Sequence, residues 1–300
     1  MMTEGFRAGF VAFIGVPNAG KSTLLNAILQ EKVSIVSAKP QTTRQRITGI
    51  LSLDHAQVIF VDAPGTLKST SGLNRFLQEE VEDVIKSVDV ICVLLAADQD
   101  EASAKELIRL ARESRKPWVV FVTKADTLLG TQTPRYFRYL LDEKIPFVSI
   151  SGLKRPQEAR AEVLEKIIPL LPESPAPLYD TEIYTTQTLR QMAAEFVREA
   201  CFENLKHEIP YGLAVRTIQF KEDESIVRIS CDIIVDKPNH KAIVIGAKGS
   251  MLKKIGSEAR REIERITGTK VFLQLHVVVK EGWTKNPRMM KELGYVVTKE

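Results

Sequence analysis

The stretch GVPNAGKS, residues 15–22, constrains this chain more than any other. It ends the apolar run GFVAFIGV (9–16) and leads into TLLNAILQ, which has helical spacing. A strand, a glycine-bounded loop and a helix in that order fit G-x-x-x-x-G-K-[ST]. The glycines let the backbone wrap phosphates, and the loop amides and helix N-terminus supply fixed positive charge. The expected phosphate-binding set is Gly15, Val16, Pro17, Asn18, Ala19, Gly20, Lys21, Ser22 and Thr23. Lys21 is placed to bridge the β- and γ-phosphates, and the Ser22 hydroxyl to hold Mg²⁺. The motif alone does not separate GTP from ATP.

A loop of this kind needs a buried sheet behind it, and the first half of the chain supplies one. Apolar runs at 9–16, 56–62, 88–98, 117–126 and 145–151 read as strands. Most lack period-two alternation, as strands buried on both faces of a mainly parallel sheet do. Amphipathic stretches such as NRFLQEEVEDVIKSV and AKELIRLARESR lie between them. This alternation predicts an α/β, doubly wound domain with its ligand at the carboxyl ends of the strands.

Three hundred residues exceed one ordinary core. The expected division is residues 1–171, a stiff proline-rich linker over 172–180, and a smaller α+β domain over 181–300. The second half reads helix, strand, strand, helix, helix, strand. Cys92, Cys201 and Cys231 are odd in number, far apart and set in apolar segments, so free thiols in a reducing cytoplasm are expected. No apolar run approaches the roughly 20 residues of a membrane span. The N-terminus lacks a basic region and a cleavage site, and reads as mature and not exported.

Further motifs fall at successive strand ends. In VDAPG, Asp62 can reach Mg²⁺ through a water; Ala63, Pro64, Gly65 and Thr66 follow, with the Gly65 amide free for a γ-phosphate. In the polar segment KPQTTRQR (39–46), spacing makes Thr43 the expected second hydroxyl on Mg²⁺. Lys21, Thr43, Asp62 and Gly65 are thus the residues expected to carry the chemistry, and Ser22, Thr43 and Asp62 those expected around the metal. TKAD supplies Thr123, Lys124, Ala125 and Asp126. The Asp126 carboxylate accepts from guanine N1–H and the exocyclic amine, a pattern adenine does not offer. Ser151 and Gly152 end the last strand, within reach of the guanine O6.

This set resembles the TRAFAC-class small GTPases, and GVPNAGKSTLLN, QTTR and DAPG resemble their Era branch, a GTPase domain followed by a type II KH domain. The resemblance covers nearly the whole chain: NHKAIVIGAKGSMLKKIGSEARREIE is similar to the KH segment, and VKEGWTKNP and ELGY to the C-terminus. It implies GTP hydrolysis, with GTP/GDP and Mg²⁺ as cofactors and K⁺ beside Asn18 in place of an arginine finger. Unassisted turnover in such switches is on the order of 10⁻⁴ to 10⁻² per second. There are departures. Thr123 stands where the family has asparagine, so it cannot tie the base loop to the phosphate loop in the same way, which implies weaker nucleotide affinity with guanine preference kept through Asp126. Gly152 replaces an alanine. Thr66, with Leu67 next, matches neither the Ras-like glutamine nor the apolar residue of the Era branch, and Arg44 reads as a solvated switch arginine ahead of a charge-stabilising one.

A second glycine loop, GAKG at 246–249, fits the G-x-x-G with which KH domains clamp a nucleic-acid backbone. The expected RNA-binding set is Ile245, Gly246, Ala247, Lys248, Gly249, Lys253 and Lys254, with Ile243 and Ile255 as further groove residues. Net charge is +1 over residues 1–175, −5 over 176–236 and +8 over 237–300, so the basic surplus surrounds this loop. The resemblance names the RNA as the 3′ end of small-subunit ribosomal RNA and the partner as the small ribosomal subunit. It also implies a cytoplasmic monomer, and the family includes peripheral association with the inner face of the membrane. The rival reading is a nucleotide-gated module whose partner is a protein or an anionic membrane surface.

Overall fold

The computed structural model describes residues 5–37, 39, 42–44, 46–65, 72–128 and 133–295. It divides into two compact units, the first running to Thr186, save for a short segment ending at Phe76 that groups with the second.

The first unit has six strands: β1 (Arg7–Ile14), β2 (Ile47–Ser52), β3 (Ala56–Asp62), β4 (Val90–Ala96), β5 (Trp118–Thr123) and β6 (Phe147–Ser149), in the order β2-β3-β1-β4-β5-β6. All neighbours pair in parallel except β2 with β3. Every residue of β3 and β4 is buried, which explains their unbroken apolar runs. The mainly parallel doubly wound fold expected from the sequence is what the chain adopts.

Helices cover both faces. On one, α1 (Lys21–Leu29) and α5 (Pro156–Ile167) bring Leu24, Leu25, Ile28, Val163 and Ile167 against Phe13, Phe60 and Phe121. On the other, α2 (Gly72–Ser87), α3 (Glu101–Glu113) and α4 (Phe137–Asp142) bring Val84, Leu107, Ile108 and Leu140 against Ile14, Val93 and Val122. The start of α3 is set by Asp100, whose carboxylate accepts from Ser103 N at 2.8 Å. Ala104, Leu107, Ile108 and Ala111 then recur at helical spacing and are all buried.

Strand β2 is missing from the sequence reading. Its apolar run is broken by Gly49, which lies flat against Leu25 and Leu29 of α1. The outer edge of β2 is covered by the same chain: Ile50 N donates to Tyr184 O at 2.9 Å, and Gly49 bridges Thr185. The proline-rich stretch 172–180 is no free tether. Ala8 N donates to Pro172 O, Ser174 N donates to Phe6 O, and the buried Gln57 side chain accepts from Leu178 N and Tyr179 N.

The second unit follows the expected order, with α6 (Leu189–Asn204), β7 (Leu213–Asp223), β8 (Ile226–Val235), α7 (Pro238–Ile245), α8 (Ser250–Thr267), β9 (Lys270–Val279) and a last turn, α9 (Pro287–Glu292). The sheet order is β7-β8-β9, antiparallel then parallel. A capping box between Thr188 and Gln191 starts α6. The buried stripe Ile255, Ala259 and Ile263 turns α8 onto the core, so Ile255, fully buried, is core and not groove. The apolar run before Gly246 is the end of helix α7, whereas composition alone suggests a strand there. All three cysteines are buried free thiols. Among the described residues no helix is long and apolar enough to cross a membrane.

Candidate functional site

Parallel pairing lines up the ends of β1, β3, β4 and β5 along one edge of the first sheet, and the loops leaving that edge enclose a cavity of about 370 Å³. Pro17, Asn18, Gly20, Lys21, Ser22 and Thr23 line one wall. Thr43 and Gly65 enter from the loops on either side of the β2–β3 pair. Thr123, Lys124, Asp126, Ser151 and Gly152 complete it. Gly15, Val16, Ala19, Asp62, Ala63, Pro64 and Ala125 stand behind or beside these walls rather than on them. Thr66 and Leu67 lie outside the described residues.

Charge is concentrated at the centre. Lys21 is 5% exposed, and its Nζ donates to Gly15 O and Val16 O, both at 3.1 Å. Burial pulls its ammonium down to about 8, partly offset by the nearby Asp62 carboxylate. Asp62 is fully buried, and that burial pushes its carboxyl up. Its Oδ2 accepts from Ser22 Oγ at 2.6 Å and from Ser34 Oγ at 3.0 Å. Ser22 Oγ and Thr43 Oγ1 lie 2.9 Å apart. Asp62 Oδ1 is buried with no hydrogen-bond partner. Three oxygens of the expected metal set are therefore gathered in one place, with an orphaned carboxylate oxygen beside them.

Ser34 was not legible beforehand. It sits in SIVS with no motif around it, and its place is set by Asn26 of α1. Asn26 Oδ1 accepts from Val33 N and Ser34 N at 3.0 Å, and Asn26 Nδ2 donates to Ser34 O at 2.7 Å. The segment expected to be solvated is also drawn inward: Thr42, Thr43 and Arg44 are all buried, Arg44 to 1% exposure. Arg44 is thus a packed arginine, a correction to its reading as solvated.

Gly65 approaches the phosphate loop so closely that a Cβ there would meet Pro17 N at 2.6 Å and Pro17 Cα at 2.7 Å. A side chain would push the two loops apart.

The base loop departs from expectation in one respect. Thr123 cannot make the asparagine's carboxamide tie to the phosphate loop. Instead its Oγ1 donates to Ala19 O at 2.6 Å, with Leu95 O at 3.4 Å. Ala125 N donates to Ile150 O at 3.2 Å, joining the loop to the last strand. Ser151 Oγ donates to Asp126 Oδ1 at 2.5 Å and accepts from Lys154 N. The Asp126 carboxylate is exposed, and Ser151 holds it from below.

The second glycine loop joins α7 to α8. Gly246, Lys248 and Gly249 have φ of 73°, 50° and 79°. Ala247 and Lys248 are exposed at its tip, Ile245 is half-buried before it, and Lys253 and Lys254 are exposed on the first turns of α8. Ile243 is 48% exposed beside them.

Comparison with known proteins bears on both loops. Residues 10–124 match the family model of a 50S ribosome-binding GTPase, and residues 208–284 match that of the KH domain. The chain is 41% identical to GTPase Era of Geotalea daltonii over 302 residues, covering 98% of this chain and 100% of that one. It is 39% identical to GTPase Era of a Thermoanaerobacter species, with 99% of each chain covered. Among solved structures, a point variant of Aquifex aeolicus Era bound to GDP and tetrafluoroaluminate superposes with a TM-score of 0.90 at 33% identity, over 97% of this chain and 100% of that one. An Era complex with MgGDPNP and nucleotides 1506–1542 of 16S ribosomal RNA gives 0.88 at 34%, with the same coverage.

Two outcomes follow from this geometry. Thr123→Val keeps the shape but strands the Ala19 carbonyl, a loss of about 1–3 kcal/mol. Guanine-nucleotide affinity should fall about tenfold in a fluorescent-nucleotide titration, while Thr123→Asn should not weaken it. Lys21→Met removes a buried ammonium whose partners are neutral carbonyls. Nucleotide binding should be lost in the same titration, with Asp62 left buried without its neighbouring countercharge.

Proposed function

This chain belongs to the GTPase Era family, and on that premise we propose that its two glycine loops work as one switch, in which bound GTP controls the grip on ribosomal RNA. That it is a GTP-hydrolysing enzyme comes with the family. The division into a GTPase domain over about residues 1–171 and an RNA-binding domain beyond 180, and the residue roles that follow, are our reading.

Lys21 exchanges its two carbonyl partners for phosphate oxygens, and the backbone amides of the loop beyond Pro17, which has no N–H, supply the remaining donors. Ser22 and Thr43, with Asp62 through a water, would hold Mg²⁺. The buried, unpartnered Asp62 Oδ1 and the hydroxyls already gathered on its other side fit a divalent ion. When bound, the metal neutralises charge on the β- and γ-phosphates. Thr43 and Gly65 come from the two segments that depend on the γ-phosphate, so its loss changes both. Asp126 reads guanine, with Lys124 along the base and Ser151 holding the carboxylate in place. Asn18, exposed on the cavity rim, is the residue we place beside K⁺; hydrolysis and nucleotide release compared in KCl and NaCl test it.

The second loop clamps a sugar-phosphate backbone through Gly246–Gly249, with Lys248, Lys253 and Lys254 as the cationic side chains. The observation that carries this reading is the pairing, in one chain, of the buried Lys21–Asp62 centre with an exposed glycine-lysine loop in a KH-matching unit. The Era relative bound to both a GTP analogue and 16S nucleotides supports the choice of RNA. The small ribosomal subunit is the assembly in which that RNA would be met.

The test is the affinity for a labelled 3′-terminal small-subunit rRNA fragment, measured with GDPNP-loaded and then GDP-loaded protein. Binding should be tighter with GDPNP and lost with Gly249→Asp, which meets no neighbouring atom but strains the loop at φ 79° and sets a negative charge against phosphate. Equal affinity in both nucleotide states would leave an RNA-binding GTPase and remove the switch.

A further inference from the structure

The sheet of the second unit has two unlike faces. α6 and α8 pack on one, burying Val227, Ile229, Cys231, Ile233 and Val235 of β8. The opposite face carries the alternate residues. In the parallel register of β8 with β9, Arg228 lies beside Phe272, Ser230 beside Gln274 and Asp232 beside His276. Phe272 is 52% exposed, with the Arg228 guanidinium 5.9 Å from its ring centre.

A β-bulge decides what β7 adds. The register slips between Thr217 and Gln219, so Gln219 and Lys221 stand opposite Ser230 and Arg228 on the open face, while Phe220 stands opposite the buried Ile229. Without the extra residue, Phe220 would be turned outward and the two polar side chains inward. Arg190 of α6 braces the bulge, donating to Thr217 O at 2.6 Å and Ile218 O at 2.8 Å.

We propose that this open face is a second contact for single-stranded RNA, separate from the glycine loop, in which a base stacks on Phe272 beneath Arg228. The inference rests on the RNA reading above. A KH loop clamps about four nucleotides, whereas the fragment in complex with the Era relative runs from nucleotide 1506 to 1542, longer than one such loop grips. The face has the chemistry for this: one exposed ring as a stacking platform, the Gln219 and Gln274 amides and the His276 imidazole on the same face, and four cations, of which Arg216 pairs with Asp232 while Lys221 and Arg228 share Asp223 and Lys270 adds to the surplus. A protein-docking core would be depleted of charge and richer in large apolar groups.

The experiment compares full-length wild-type and Phe272→Leu protein, GDPNP-loaded, on two RNAs. One is the 37-nucleotide fragment; the other is the shortest tile of it that wild type binds and Gly249→Asp releases. Phe272→Leu should weaken the long RNA about tenfold and leave the short one unchanged. Since Phe272 is half exposed, the fold should survive, and circular dichroism checks that it does. Unchanged affinity for both RNAs overturns the proposal. An equal fall for both also overturns it, because the face would then act only through the glycine loop. Loss of ribosomal-subunit binding with both RNA affinities intact would give the face to a protein partner and overturn it as well. Wild type that binds neither RNA would remove the RNA reading itself, and this proposal with it.

Discussion

A buried ammonium and a buried carboxylate, neither fully satisfied, set the terms for the rest of the first unit. Lys21 and Asp62 are 5% and 0% exposed, yet Lys21 rests on two carbonyls and Asp62 on two hydroxyls, with one oxygen bare. Burying charge against neutral dipoles costs several kcal/mol per ion. The fold tolerates it because β1 and β3 are fixed by neighbours on both sides and cannot move to relieve it. What such a centre lacks is an anion over the lysine and a cation beside the carboxylate. In the reading proposed here a nucleotide phosphate with its divalent metal would supply both together, and an unfavourable pair would make a favourable site.

The same edge explains how a departure from the family pattern is absorbed. Thr123 has no carboxamide, but it sits at the last position of a buried strand, where packing and β-branching restrict its side chain to few rotamers. The one adopted points a hydroxyl at Ala19 O, 104 residues earlier in the chain. The tie between phosphate loop and base loop is thus kept by a different donor. The neighbouring bonds from Ala125 N to Ile150 O and from Ser151 to Asp126 run through backbone or a hydroxyl, and neither needs the asparagine.

The parts of this architecture legible in the sequence are those carried by local pattern. β3 and β4 declare themselves because burial on both faces removes alternation, and the glycine loops because their spacing has few other uses. β2 does not, since its apolar run is cut by Gly49, whose reason lies in two leucines of α1. Ser34 was invisible for a similar cause: a lone serine between Val33 and Ile35 carries no signal, and its contact with Asp62 depends on Asn26 folding the chain back. Arg44 misled in the other direction, because charge suggests solvent while the fold buries it. The bulge in β7 likewise exists only in the pairing with β8.

The two glycine loops show how one backbone device serves unlike ligands. α1 and α8 both begin after a glycine in the left-handed region, Gly20 at φ 86° and Gly249 at φ 79°, which exposes the first amides of each helix to an anion. What differs is the surroundings. Gly20 has the Thr123 side chain 3.9 Å from where its Cβ would be, and Lys21 beside it is buried. Around Gly249 nothing comes within 4 Å, and Lys248 is exposed. An enclosed loop can hold only the end of a chain of phosphates, and its charges are strengthened by the exclusion of water. An open loop admits a polymer from the side, at lower affinity per contact, and must draw on neighbouring surface to hold it. The first arrangement suits a ligand that is cleaved, the second one that is gripped and released.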